Sequence, residues 1–73
     1  MPLKEERMRS LSDMAATYDQ WAREHEATAK KIQACLDSVT DEVREHQRWR
    51  ADQLMAEAAA LKVRAQELRK LAL

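Results

Sequence analysis

The sequence predicts an all-α fold: one helical domain over residues 1–73, folded as an antiparallel hairpin of two long helices that dimerises into a four-helix bundle. Three observations carry this reading. The chain has no Gly and a single Pro, at position 2, and is dense in Ala, Leu, Arg, Glu, Lys and Gln. These are the strong helix formers, and such a composition belongs to long helices and coiled coils. In both halves the apolar residues recur at spacings of three and four, one face of a helix, and no alternating strand pattern occurs. Between the halves the stretch LDSVTDEV, Leu36 to Val43, is rich in residues that cap helix starts.

The first helix is expected over residues 4–36. Pro2 suits a first turn, where its missing N–H costs nothing, and Glu5 and Glu6 favour the positive end of the helix dipole. Ser10 with Asp13 offers a second, weaker start. The apolar stripe then runs Leu11, Met14, Tyr18, Trp21, Ile32, Cys35 and Leu36, with His25 and Thr28 on the same face. Beside it Ala15, Ala22 and Ala29 recur every seven residues.

A reversal is expected over residues 37–39. Asp37, Ser38 and Thr40 are capping residues, Ser38 precedes Asp41 by three, and Asp41 with Glu42 would occupy a first turn, where acids are favoured. Lys30 and Lys31 suit the end of the preceding helix. The alternative is a single long coiled-coil helix, since Leu36, Val39 and Val43 continue the stripe without a breaker.

The second helix is expected over residues 40–71. Leu54, Leu61 and Leu68 recur every seven, beside Ala51, Ala58, Ala65 and Ala72, also every seven. Small side chains let two helix backbones approach toward the short end of the usual ~8–10 Å range. The expected intramolecular seam is Leu11, Met14, Tyr18, Trp21, Ile32, Leu36, Val43, Leu54, Ala58, Leu61, Ala65 and Leu68. Its expected pairing sets Met14 against Leu61, Trp21 against Leu54 and Ile32 against Val43. Tyr18 then falls level with Glu57, His25 near Arg50 and Thr28 near Gln47.

Two helices share one interface, and a chain this short needs a staple or a partner. Trp49, Ala56, Ala59, Ala60 and Val63 cluster on the side of the second helix opposite its seam, taking about 100° per residue. A helix apolar on two faces is normally covered on both. That set is the expected oligomer or partner interface, most simply with a second copy, with Trp49 as anchor.

Catalytic, cofactor and metal chemistry finds little footing. The repeated REHE and REHQ, Arg23–Glu26 and Arg44–Gln47, miss the metal spacings: HExxH needs His where Ala29 stands, and Glu-x-x-His needs Glu where Ala22 and Val43 stand. His25 and His46 read instead as polar residues beside the stripe, and as histidines they could make assembly pH-sensitive. Cys35 is alone, which excludes an intramolecular disulfide, and reads as a small buried hydrophobe. Thirteen basic residues balance thirteen acidic ones, against a purely electrostatic nucleic-acid or membrane binder. Arg44, Arg48 and Arg50 around Trp49 form the one local basic and aromatic cluster that an RNA- or DNA-binding reading would use, with Glu42, Glu45 and Asp52 interleaved. The longest apolar run, Ala58 to Leu61, is far too short for a membrane span, and no signal-peptide core is seen, so a cytoplasmic location is expected.

The functional expectation is therefore a non-catalytic protein-binding module: a small regulator or inhibitor, or an assembly adaptor, acting by self-association and by binding another protein. A nucleic-acid-associated regulator is the alternative.

Overall fold

The computed structural model describes residues 4–72; Pro2 and the side chains of Glu5 and Glu6 lie outside the described part. Two helices fill it: α1, Lys4–Ala34, and α2, Asp41–Ala72. They are joined by a single 3₁₀ turn, Leu36–Ser38. The chain doubles back and α2 packs along α1, so the molecule is a helical hairpin and not a straight rod. It measures 58 × 16 × 13 Å, one helix pair across. Among the described residues no helix is long and apolar enough to cross a membrane.

Among the described residues the buried ones are all alanine: Ala15, Ala22 and Ala29 on α1 face Ala51, Ala58, Ala65 and Ala72 on α2. Between them, half-buried, come Leu11, Tyr18, His25 and Ile32 on one side and Gln47, Leu54, Leu61 and Leu68 on the other. Small and large positions thus alternate three and four apart on both helices, the strict seven-residue period of a two-helix coil. An alanine side chain is one methyl group, worth about the 0.8 kcal/mol of a single buried methylene-sized group. The seam brings the backbones together but buries little apolar volume.

Three residues expected in the seam stand on its rim instead. Met14, Trp21 and Val43 are 43%, 47% and 43% exposed. Met14 and Trp21 each immediately precede a buried alanine, so on a seven-residue period they form the next row out, while the alanine takes the axis. Cys35, expected buried, is likewise exposed. It lies on the same row, just past the end of α1.

The pairing also differs, by one heptad. Tyr18 meets Arg64 rather than Glu57, and His25 meets Glu57 rather than Arg50. At these two side-chain contacts the facing residue lies seven positions later along α2 than expected. After α1 the chain passes through the 3₁₀ turn and the extended Val39, φ −120° and ψ 164°, and α2 starts at Asp41, one residue later than expected.

No residue of the reversal has a positive φ, which is why it forms without glycine. Arg44 holds it. Its Nε donates to the Leu36 carbonyl at 2.8 Å, Nη2 to the Val39 carbonyl at 3.1 Å and Nη1 to Asp41 Oδ1 at 2.7 Å. One planar guanidinium thus satisfies two loop carbonyls and an acid in the first turn of α2. The backbone bond from Arg44 N to the Thr40 carbonyl, 2.7 Å, starts that turn.

Two stability outcomes follow from this architecture. Ala22→Leu inserts bulk where the backbones are closest and lowers unfolding stability by about 1–3 kcal/mol in a urea titration, whereas Ala27→Leu, on the exposed side of α1, changes it by less than about 0.5 kcal/mol. Arg44→Gln strips the loop carbonyls of their charged donor and costs about 1.5–3 kcal/mol in the same titration; Arg44→Lys, a point charge without the planar fork, does not restore it.

Candidate functional site

The two edges of the hairpin differ in chemistry. On one edge α1 places Asp19 and Glu26 seven residues apart, and α2 places Lys62 and Arg69 seven apart. Glu26 pairs with Lys62 at 2.5 Å, and Asp19 pairs with Arg69. The Lys62 ammonium hydrogen-bonded to Glu26 holds that carboxyl below its ordinary pKa; partial burial opposes the shift, while the charges of Lys62 and Lys30 add to it. Exposed pairs of this kind contribute little energy each, but both form together in only one alignment of the helices.

The other edge is apolar. Met14 and Trp21 on α1, Cys35 just past its end, and Val43 and Leu71 on α2 lie along it, all exposed. Between Trp21 and α2 runs an open groove of about 390 Å³ lined by Trp21, His25, Glu57, Ala60, Leu61 and Arg64. The Trp21 ring meets Tyr18 edge-on, centroids 5.5 Å apart at 72°. The Arg64 guanidinium carbon sits 6.0 Å from the centre of the Tyr18 ring, and His25 Nε2 is 3.4 Å from Glu57 Oε2. The aromatic pair fixes Trp21 at the rim, where its outer surface remains free.

A third feature is the outer row of α2, turned away from α1. Trp49 is 59% and Val63 54% exposed there, with Ala56 between them. His46 stacks on Trp49, ring centroids 6.0 Å apart at 26°. Ala59 and Ala60 are exposed too, on either side of that row: Ala59 toward the charged edge, Ala60 in the groove of the apolar one. The five residues expected to form one interface are therefore spread over three neighbouring rows.

Of the arginines of the nucleic-acid reading, Arg44 and Arg48 border one shallow surface with Asp41, Glu42 and Glu45, and Arg50 lies elsewhere. Arg44 is engaged in the reversal. Arg48 lies among Asp41, Glu42 and Glu45, and Arg50 lies by Ile32 and Cys35. Two residues apart on a helix, Arg48 and Arg50 point about 200° apart. His25 sits in the seam and His46 outside it, so the REHE and REHQ repeats do not converge. Among the described residues no group of three or more His, Cys, Asp or Glu side chains is placed to hold a metal ion.

Sequence reasoning missed the charged edge, the clamp by Arg44 and the row through Met14, Trp21 and Leu71. The first had a signal: acids at Asp19 and Glu26 and bases at Lys62 and Arg69 share the same seven-residue spacing. No protein-family model matches the chain, and no curated protein or solved structure matches it at a significant level.

The Glu26 carboxyl gives a pH outcome. Its folded pKa lies below the unfolded one, so its contribution is fully present above the unfolded value and is lost as pH falls through the folded value. Thermal melts of wild type and Glu26→Gln between neutral and strongly acidic buffer converge at the acid end. The variant is the less stable at neutral pH and loses less on acidification.

Proposed function

We propose that the chain is a non-catalytic protein-binding module, a small regulator or inhibitor or an assembly adaptor of the cytoplasm, acting through helical self-association and through binding of a partner protein. One observation carries the reading: among the described residues no large side chain is fully buried, and seven large apolar residues are exposed, including Trp21, Trp49, Val63 and Leu71. The accessible surface is 5918 Å². A compact folded chain of this mass exposes about 4,700 Å². The excess of roughly 1,200 Å² exceeds the ~800 Å² that one partner contributes to a standard interface. The apolar edge and the outer row of α2 offer two separate surfaces, one for a second copy and one for a different protein. Trp49 is the anchor of the latter, since buried Trp and Arg dominate interface energetics.

Sedimentation equilibrium over a concentration series, with affinity capture from the host, tests this. The wild-type chain rises above its monomer mass of 8.5 kDa as concentration increases. Trp49→Ala keeps its helical circular dichroism but holds its captured partner at least about tenfold more weakly, roughly 1.4 kcal/mol. A chain that stays monomeric and holds no protein in a Trp49-dependent way would falsify the reading.

A further inference from the structure

The apolar edge carries charges arranged to meet their own copy. Along its α2 row, Glu57 and Arg64 stand seven residues apart, and both border the groove beside Trp21. Glu57 touches His25, but its side chain remains 61% exposed, so the carboxylate is still open to a second cation. Arg64 is also exposed, packed on one side against Tyr18. In a two-fold interface a residue that meets another is met by it in return.

We propose that this edge is the dimer face, and that a second copy of the chain docks on it antiparallel, with the two-fold axis crossing α2 midway between Glu57 and Arg64. Glu57 of each copy then opposes Arg64 of the other, two ion pairs from one contact. The self-association in the functional reading above is the premise; what is added is the face, the orientation and the reciprocal pair.

Three further observations favour a copy as the occupant. An oppositely charged pair on one helix row is complementary to itself when reversed, whatever else it meets. The other positions of the α2 row raise no like-charge conflict with this axis: Arg50 falls opposite Leu71, an exposed apolar residue that an arginine stem can cover. The face is also large enough. A surface of 58 × 16 Å gives a footprint of about 900 Å², near the ~800 Å² per partner of a stable interface. The charged edge offers no such face, because Asp19 and Glu26 are already paired within the chain.

Charge reversal tests the axis directly on the full chain. Arg64→Glu places two acids opposite each other at both contacts, and Glu57→Arg places two bases there. Each variant alone dimerises at least about tenfold more weakly than wild type by sedimentation at low salt. Mixed one to one, the two variants recover the dimer, because every contact then joins an acid of one chain to a base of the other. No change confined within a chain, such as loss of the His25 or Tyr18 contact, produces that recovery. Trp21→Ala also weakens the dimer at least about tenfold, with circular dichroism unchanged. A wild-type dimer whose mixed variants stay dissociated, or whose single variants associate normally, overturns the axis but leaves self-association standing. A wild-type chain monomeric at every concentration overturns the dimer altogether, and the partner-binding reading then rests on the Trp49 capture alone.

Discussion

Close approach of two helices over a row of alanines is the constraint from which the rest of the molecule follows. Ala15, Ala22 and Ala29 against Ala51, Ala58, Ala65 and Ala72 leave no room on the axis for anything larger than a methyl group. Larger apolar residues are displaced to the half-buried positions between the alanines or to the rim. The hairpin is therefore well matched in shape and poor in buried volume. Large apolar residues stand on its rim because its axis is small. The exposed Met14, Trp21 and Leu71 are a direct result of the packing, and each sits where a neighbouring surface would reach it.

A row that repeats every seven residues has a second consequence. Sliding one helix past the other by seven positions places alanine against alanine again, so the seam does not choose its own alignment. Selection falls to features that do not repeat. The reversal is one: the 3₁₀ turn, the extended Val39 and the Arg44 clamp determine how far α2 is carried before it starts. The charged edge is the other, in part: Asp19–Arg69 and Glu26–Lys62 both form in this alignment, whereas a slide of seven leaves a single acid–base pair. Weak pairs suffice here, because they need only separate alignments that the core leaves nearly equal.

This explains which parts of the structure were legible in the sequence. The two helices were, because the absence of Gly, the spacing of three and four and the alanine rows all point the same way. The place of the reversal was also legible from Asp37, Ser38 and Thr40, although the contacts that hold it belong to Arg44, which had looked like part of a basic surface. The alignment was not, because the expected pairing of Trp21 with Leu54 and the observed one differ by a shift that leaves the periodic pattern unchanged. Nor was the division of faces. An angular reading at ~100° per residue groups Trp49, Ala56, Ala59, Ala60 and Val63, whereas the seven-residue period of the packed helices separates them into three rows. The spacing of three and four placed Met14 and Trp21 on the expected stripe, although the alanine beside each takes the axis. Size was the misleading cue: in a seam this narrow the smallest side chains are the buried ones.

The two exposed surfaces need not compete. The outer row of α2, with Trp49 and Val63, points away from α1 and lies apart from the edge that carries Trp21 and Leu71. A copy docked on that edge leaves the outer row open on both chains, so the proposed dimer would present two Trp49 surfaces, one reversed relative to the other. Two equal sites on one rigid body gain from effective concentration when a target is itself repeated or dimeric, with no new contact required. The thin core adds a dependence in the same direction. Where the folded chain is only marginally stable, association stabilises it by mass action, and the amount of folded chain rises with its own concentration. A hairpin built on methyl groups would then couple its folding, its pairing and its capacity to bridge other proteins through the one edge that the alanine seam leaves uncovered.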